Sequence, residues 1–490
     1  MGSFIGTSLK KNEKIIVGIA IFYILITSIL AITLHHNFHI AADPIGLHMQ
    51  ELESSMEGNF FYRPIEGRNL FEIHNSPIHI FYLPAYFLFP SYFILILIQN
   101  IAIAIAGIFI YKIALMYLKE KEALIMYISF MLFPALIVTN IKNASPMITA
   151  ILPVTLMIYF LLKKNNLMLV IMSVVTLLFK ENTPLMVIPI GIYTFFKLNK
   201  QTGLKIIVIS ALWLVISFSI VFPMGEGQNE DMMGDLYGYL GDSSADKIKN
   251  IIFQPIKSLD YQDSLPLKIT YAKEILIHTS FISLLSPGTL LMAAPIVAQN
   301  VYSTSSYKYD FRSHYNYILI PIIFLSSIIG LTRLNSRTRR IILILILILS
   351  IISFAKTGAG EFVKENCYLF KDSKDCTPTG DILGNANEDN FPNIREAIKI
   401  IEPGSIVATQ INMFVQIEKD NHGYMFDYGE YNQLCNKADY ILIDTSAPIH
   451  NGIKTKELID IQTKDLKYKL IFQKEDTYLL KRNNETICLK

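Results

Sequence analysis

The sequence predicts a mostly α-helical, polytopic membrane protein with a small C-terminal α/β domain. Of its 490 residues, 52% are hydrophobic and only 17% are charged, and the mean hydropathy is +0.39. Soluble globular proteins carry about 25% charged residues, so this deficit indicates a chain solvated largely by lipid. The net charge of +2 argues against a nucleic-acid-binding surface. The chain therefore divides into a transmembrane helical domain, residues 1–357, and a soluble domain, residues 358–490.

Apolar segments that could cross a bilayer recur along the first domain. A spanning helix needs about 20 mostly apolar residues. The first candidate, residues 15–34, follows Lys10, Lys11 and Lys14, which predicts a retained anchor with a cytoplasmic N-terminus. Together with the later apolar runs it gives about eleven crossings, at 15–34, 91–117, 122–139, 146–162, 167–179, 183–198, 204–222, 270–287, 288–302, 314–331 and 340–356.

The basic residues fix the predicted sidedness. If the chain crosses alternately at these segments, four of the cytoplasmic loops are short and basic, as the positive-inside rule requires; these loops carry Lys119 and Lys121, Lys163 and Lys164, Lys197 to Lys205, and Arg333 to Arg340. The long loops 35–90 and 222–268 and the C-terminal domain then lie on the extracytoplasmic side. Residues 76–89 are apolar but short, with Pro77 and Pro84 inside the run and Pro90 directly after it, and they fit a short helix in the outer interface.

The polar C-terminal region has the pattern of a small α/β domain. A helix is predicted at 392–401, with strands at 405–409, 438–443, 468–472 and 477–480. All four cysteines lie in this region without metal-ligand spacing. Outside the cell, Cys367 and Cys376 could close a short disulfide loop, and the alternative is a pair of free thiols.

The candidate functional residues begin with Asp43, directly after the first span. A carboxylate at the membrane surface could accept a proton or hold a divalent metal ion, although a solvated loop acid or a helix cap has the same pattern. His48, Glu51 and Glu53 follow, with Leu47, Met49 and Leu52 between them. That spacing predicts an amphipathic interfacial helix, ended by Gly58 and Asn59, and needs no chemical role.

Three other extracytoplasmic segments carry candidate ligands for a phosphate. His74 precedes the interfacial segment, and Lys180 and Glu181 follow an apolar run that is too short for a full span. Arg312 and His314 enter the penultimate span, where a guanidinium could bind a phosphate with two hydrogen bonds. Each segment alone also fits a structural turn or an aromatic anchor. Their convergence at one membrane depth is what indicates a site.

The chain is identified by resemblance as a member of the predicted membrane proteins of domain of unknown function 2079. The resembling stretches include DPIGLHMQELESSMEG from Asp43, HNSPIHIFYLPAYFLFPSYFILILIQ from His74, YLGD from Tyr239 and ADYILID from Ala438. They occur in the expected order over nearly the whole chain. One element departs from the expected pattern: an aromatic-His-Pro sequence is replaced by Ala144-Ser145-Pro146.

The layout of this family is similar to that of the GT-C-type glycosyltransferases, which use sugars carried on polyprenyl phosphate. The resemblance implies that Asp43 acts as the base or as a metal-linked acid, and that His74, Lys180, Arg312 and His314, with Glu181 beside them, form the binding site for the lipid phosphate. Two alternatives remain open: a transporter or flippase-like carrier of a lipid or glycan, and a non-catalytic envelope protein whose tail binds a partner.

Overall fold

The computed structural model describes residues 11–36, 38, 43–64, 66–225, 234–355, 390–410, 413–418, 421–425, 438–445 and 468–483. Within them the chain is mostly helical, as predicted, with a small sheet near the C-terminus. Cys367 and Cys376 lie outside the described residues, so their disulfide stays a prediction.

The first domain is a bundle of apolar helices. By length and composition, four of the described helices could cross a membrane: Glu13–His36, Tyr92–Ala114, Glu120–Ile141 and Lys200–Met224. Shorter apolar helices cover Pro77–Leu88, Pro146–Leu162, Asn166–Leu177, Pro184–Lys197 and Ile320–Thr332. The last helix, Ser336–Ser353, begins with three arginines in its first turns.

The count of eleven crossings stays a prediction. Two of the predicted crossings lie in residues 270–302, where the structure has only short helices. The chain forms the helices Leu265–Ile277, Pro287–Leu290 and Ala294–Val301 there, and Ser280 and Phe281 break the path with positive φ angles of 52° and 57°. These helices are shorter than the roughly 20 residues that a span needs. The predicted spans 270–287 and 288–302 follow each other directly. If neither crosses the membrane, the number of crossings falls by two, and every other loop stays on its predicted side.

Contacts between segments that are distant in sequence show which segments lie at the same end of the helical bundle. At one end, the Tyr127 hydroxyl donates to the carbonyl of Ile16, and Arg339 lies 3.8 Å from Glu122. At the other end, the Ser76 hydroxyl donates to the carbonyl of Phe179. These pairings match the two sets of loops that the basic residues distinguish.

The first long loop is built from short elements. Helix α1 (Lys11–His36) is followed by helix α2 (Asp43–Met56), which ends where Gly58 adopts a φ of +97°. Strands β1 (Tyr62–Arg63) and β2 (Arg68–Asn69) then pair antiparallel. Other short helices of the domain include Leu70–Ile73, a 3₁₀ turn at Pro77–Phe81, Leu83–Leu88, Ser244–Phe253 and Pro255–Leu259.

The C-terminal domain contains a five-stranded mixed sheet in the order β4-β3-β5-β7-β6. The strands are β3 (Ile406–Thr409), β4 (His422–Met425), β5 (Tyr440–Asp444), β6 (Tyr468–Lys474) and β7 (Thr477–Arg482). Strand β3 is parallel to β4 and β5, and β7 is antiparallel to β5 and β6. The helices Phe391–Ile400 and Phe414–Glu418 accompany the sheet. The sequence predicted all of these strands except β4.

The C-terminal domain packs against the segment that begins with Asp43. Phe38 belongs to the core of this domain, 5.5 Å from the ring of Phe391. The Gln50 side chain of α2 donates to the carbonyl of Gly423 at 2.9 Å. Phe38 and helix α2 therefore both contact the C-terminal domain.

Gly46 lies directly against Phe414 in this contact. A Cβ atom at this position would overlap the buried ring of Phe414. We expect Gly46→Val to separate the two domains, whereas Gly18→Val, where a Cβ has open space, should not. Limited proteolysis should cleave the C-terminal domain at least about tenfold faster in Gly46→Val alone, because a bulky residue in a packed site forces its neighbours apart. Equal cleavage rates would contradict this contact.

Candidate functional site

Helix α2 and the strands after it hold a buried group of charged residues, called here the Glu51 cluster: His48, Glu51, Arg63 and His79. The Arg63 guanidinium donates to Glu51 Oε1 at 2.6 Å through Nε. His48 Nδ1 lies 3.0 Å from Glu51 Oε2, and His79 Nδ1 lies 3.6 Å from the same oxygen. Glu51 is completely buried. A position predicted to be part of an interfacial helix is therefore the centre of an ionic network.

The electrostatics of the cluster follow from its burial. Burial alone would raise the pKa of Glu51, but Arg63 and then the two histidines lower it below its ordinary value. Burial lowers the pKa of His79 to about 3, although Glu51 opposes the shift. Near neutral pH the cluster therefore holds a carboxylate, a guanidinium and at least one neutral imidazole.

Removing Arg63 should leave the charge of Glu51 buried and without its strongest partner. Breaking a buried ion pair in this way costs about 3–5 kcal/mol. We expect Arg63→Ala to lower the thermal unfolding temperature of the detergent-solubilised protein by several degrees. The control is Arg312→Ala, whose ion pair with Asp310 is much more exposed and is worth at most about 1 kcal/mol. Equal shifts in the two variants would contradict the account.

A second set of contacts fixes His74 beside the turn that carries Lys180 and Glu181. Asn69 caps the helix Leu70–Ile73, and the chain leaves this helix at His74. His74 Nδ1 lies 3.3 Å from Glu181 Oε1, and the backbone N–H of Asn75 donates to Glu181 Oε2 at 3.2 Å. Burial and the nearby Lys180 lower the pKa of His74, whereas Glu181 opposes this shift.

Three basic side chains converge on one aromatic ring, and we call them with Tyr315 the Tyr315 cluster. The ammonium groups of Lys180 and Lys308 lie 5.4 Å and 5.3 Å from the centroid of the Tyr315 ring. The imidazole of His314 stacks on the same ring, with 4.3 Å between centroids. Lys308 also donates to the Tyr237 hydroxyl at 3.0 Å.

The Tyr315 cluster carries an excess of positive charge. Lys180 and Lys308 are each only 7% exposed. Among the described residues, Glu181 is a carboxylate that acts on both, and His74 already contacts it. Burial and the neighbouring charge of Lys180 lower the pKa of Lys308 to about 8. Two buried ammonium groups that repel each other favour an anionic ligand.

The structure brings four of the predicted site residues together: His74, Lys180, Glu181 and His314. The Arg312 guanidinium donates to both carboxylate oxygens of Asp310, at 3.1 Å and 2.9 Å. Its role at a phosphate stays a prediction. Asp43 opens α2, but its side chain lies outside the described part of the chain. Its catalytic role likewise stays a prediction.

Sequence reasoning missed Lys308, Arg63 and His79 as members of the site. Lys308 lies between two tyrosines in a loop, and such a lysine usually faces solvent. His79 lies in an apolar segment of the sequence. A polar residue inside such a segment was the only feature of the local sequence that could have pointed to a functional role. Ser145, where the resemblance leads one to expect a histidine, lines a small cavity together with His48 and His79.

The helical fold of this chain is similar to that of known membrane proteins. The chain resembles two solved structures of ArnT from Cupriavidus metallidurans, a GT-C glycosyltransferase. The structure bound to undecaprenyl phosphate has 11% sequence identity and a TM-score of 0.59, with 96% of this chain and 98% of that chain covered. For the apo state the values are 9%, 0.53, 95% and 98%.

The family follows from the sequence match. Residues 34–480 match the model described as predicted membrane protein DUF2079, so the chain belongs to that family. No curated protein matches the sequence.

Proposed function

We propose that this protein is a membrane glycosyltransferase that takes a sugar from a polyprenyl-phosphate carrier at the extracytoplasmic face. The observation that carries the proposal is the excess positive charge of the Tyr315 cluster, where two buried lysines share one carboxylate. The fold supports it, since ArnT binds undecaprenyl phosphate in a structure that covers nearly the whole length of this chain.

In the proposed reaction, Lys180 and Lys308 neutralise the phosphate of the lipid donor. The acceptor hydroxyl attacks the anomeric carbon while the bond from that carbon to the phosphate oxygen breaks, and the electron pair of this bond leaves with the phosphate. Asp43 takes the proton of the hydroxyl. The ammonium groups stabilise the charge that develops on the leaving group, a role for which buried and fixed cations are well suited.

The proposed sidedness places Asp43, the Tyr315 cluster and the C-terminal domain outside the cytoplasm. It is supported by the basic loops and by the two-ended contact pattern. Single cysteines at Ser336 and Lys469, both exposed, can be introduced after the four native cysteines are replaced. A membrane-impermeant maleimide should label Lys469→Cys in intact cells and Ser336→Cys only after lysis. The reverse pattern would refute the proposed face.

The activity itself can be tested in proteoliposomes. Purified protein is given radiolabelled polyprenyl-phosphate sugar and an extract of envelope lipids and glycans as acceptors. The proposal expects a new covalent sugar product in the wild type and much less in a Lys180→Met, Lys308→Met variant. Movement of the labelled lipid between leaflets without any covalent product would favour the carrier alternative.

The lowered pKa of Lys308 predicts how the affinity for polyprenyl phosphate depends on pH. An anion favours the charged ammonium, so affinity for polyprenyl phosphate should be full below pH 8 and should fall above it, by at most about tenfold per pH unit. Lys308→Arg should retain its affinity between about pH 8 and pH 10, because a guanidinium stays charged there. Binding isotherms across this pH range measure the difference in affinity between the wild type and Lys308→Arg. Any titration of the lipid affects both proteins equally and therefore cancels in this difference. Parallel curves for both proteins would contradict the assignment.

A further inference from the structure

We infer that His48, Glu51 and His79 form a binding site for a divalent transition-metal ion, with zinc as the best match to the ligand types. The inference does not depend on the proposed transfer activity. It concerns a different set of side chains from the lysines that we assign to the phosphate.

The geometry of the three residues suits a metal ion. One ligand atom from each residue can be chosen so that all three lie within 4.8 Å of one another. The distances from Glu51 Oε2 to the Nδ1 atoms of His48 and His79 are 3.0 Å and 3.6 Å. In a tetrahedral zinc site with bonds near 2.0–2.1 Å, neighbouring ligand atoms are about 3.3 Å apart. The two distances from Glu51 lie on both sides of this value, and the ligand atoms of the two histidines lie within 4.8 Å of each other, so a bound ion would draw the three side chains together.

His79 supplies an independent reason to expect a ligand. Its side chain is buried, with 4% residual exposure, and neither ring nitrogen has a hydrogen-bond partner among the described residues. A buried polar group without a partner carries a cost of about 1–3 kcal/mol.

The surroundings supply the remaining features of a metal site. Glu51 presents Oε2 to the histidines while Arg63 holds Oε1, an outer-shell contact that orients a ligating carboxylate. The charge of Arg63 opposes a bound cation, and Glu66, 3.0 Å from the same guanidinium, offsets part of it. Beside the rings of His48 and His79, a cavity with room for about one water leaves a fourth position open. Two imidazoles, one carboxylate and an open position make a zinc ligand set.

The test measures metal content in the full chain, purified with a chelator and then reloaded with zinc sulfate. We expect close to one equivalent of zinc per chain in the wild type. Affinity should fall by about 100-fold or more in His48→Ala and in His79→Phe, which keeps a buried ring but has no ligand atom. His278→Ala is the matched control. His278 is also a buried histidine, neither of its ring nitrogens has a hydrogen-bond partner in the described part of the chain, and its ring packs against Phe133 and Phe311. It should bind zinc like the wild type.

A variant that adds a ligand separates loss of the metal site from loss of folding, because misfolding cannot increase the affinity for zinc. Ser145 lines the cavity, so Ser145→His places a third imidazole there and should tighten zinc binding by about tenfold or more. Cobalt loaded in place of zinc should give the visible bands of a four-coordinate nitrogen and oxygen site. The inference is overturned if the wild type binds less than about a tenth of an equivalent, or if His79→Phe binds as well as the wild type. It is equally overturned if His278→Ala loses as much zinc as the cluster variants.

Discussion

Lys180→Met should weaken the binding of polyprenyl phosphate by about 10- to 100-fold without lowering the stability of the protein. A hydrogen bond to a charged group contributes about 1.5–3 kcal/mol, which corresponds to this range. Methionine keeps the length of the side chain and removes its charge. Because Lys180 and Lys308 repel each other in a buried site, the variant should unfold at the same temperature as the wild type or higher. Loss of binding with retained stability is characteristic of a residue that serves a ligand.

The matched control is Lys268→Met. Lys268 is also a buried lysine above a tyrosine, 5.2 Å from the Tyr309 ring, but its ammonium donates to the carbonyl of Leu259. Its removal should leave lipid binding unchanged. The Lys180→Met, Lys308→Met double variant should lose more than about 100-fold in affinity, with the two effects not strictly additive. Binding is measured with a fluorescent polyprenyl phosphate in detergent micelles, and an unchanged affinity in the double variant would contradict the phosphate assignment.

Asp43→Asn should lower the rate of sugar transfer by about 10²- to 10⁴-fold, the range that a general base contributes. Asparagine keeps the size of the side chain but cannot accept the proton of an acceptor hydroxyl. Binding of the lipid donor should be unchanged, because the cations assigned to the phosphate remain in place. The measurement is single-turnover transfer at saturating donor.

A second carboxylate near the same helix controls for a general effect of charge. Glu57 is exposed just beyond the end of α2, so Glu57→Gln should transfer sugar at the wild-type rate. Full activity in Asp43→Asn would end the proposal that Asp43 is the base. A loss of activity together with an equal loss of donor binding would assign Asp43 to binding instead.

The architecture could be predicted from the sequence because lipid imposes simple constraints on it. Apolar segments and basic loops led to the helical bundle, and alternating patterns located four of the five strands of the C-terminal sheet. The short run 167–179 led to a turn at Lys180 and Glu181, and the structure has helices ending at Leu177 and beginning at Pro184. Each of these features depends on local sequence alone.

The partners within the site could not be predicted because they depend on tertiary contacts. Lys180 meets Lys308 across 128 positions of sequence at the ring of Tyr315, and no local pattern signals that meeting. Glu51 looked like part of the polar face of an interfacial helix, and only the return of the chain at Arg63 and His79 makes it the centre of a cluster. The topology of the chain brings the outer loops together and so determines which of these residues are in contact.

The most direct test is an experimental structure of the protein in lipid nanodiscs with a polyprenyl phosphate. The account predicts phosphate density beside Tyr315, within hydrogen-bonding distance of the Lys180 and Lys308 ammonium groups, on the side of the bundle that carries the C-terminal domain. Phosphate density at the opposite end, or in a position that contacts neither lysine, would contradict it.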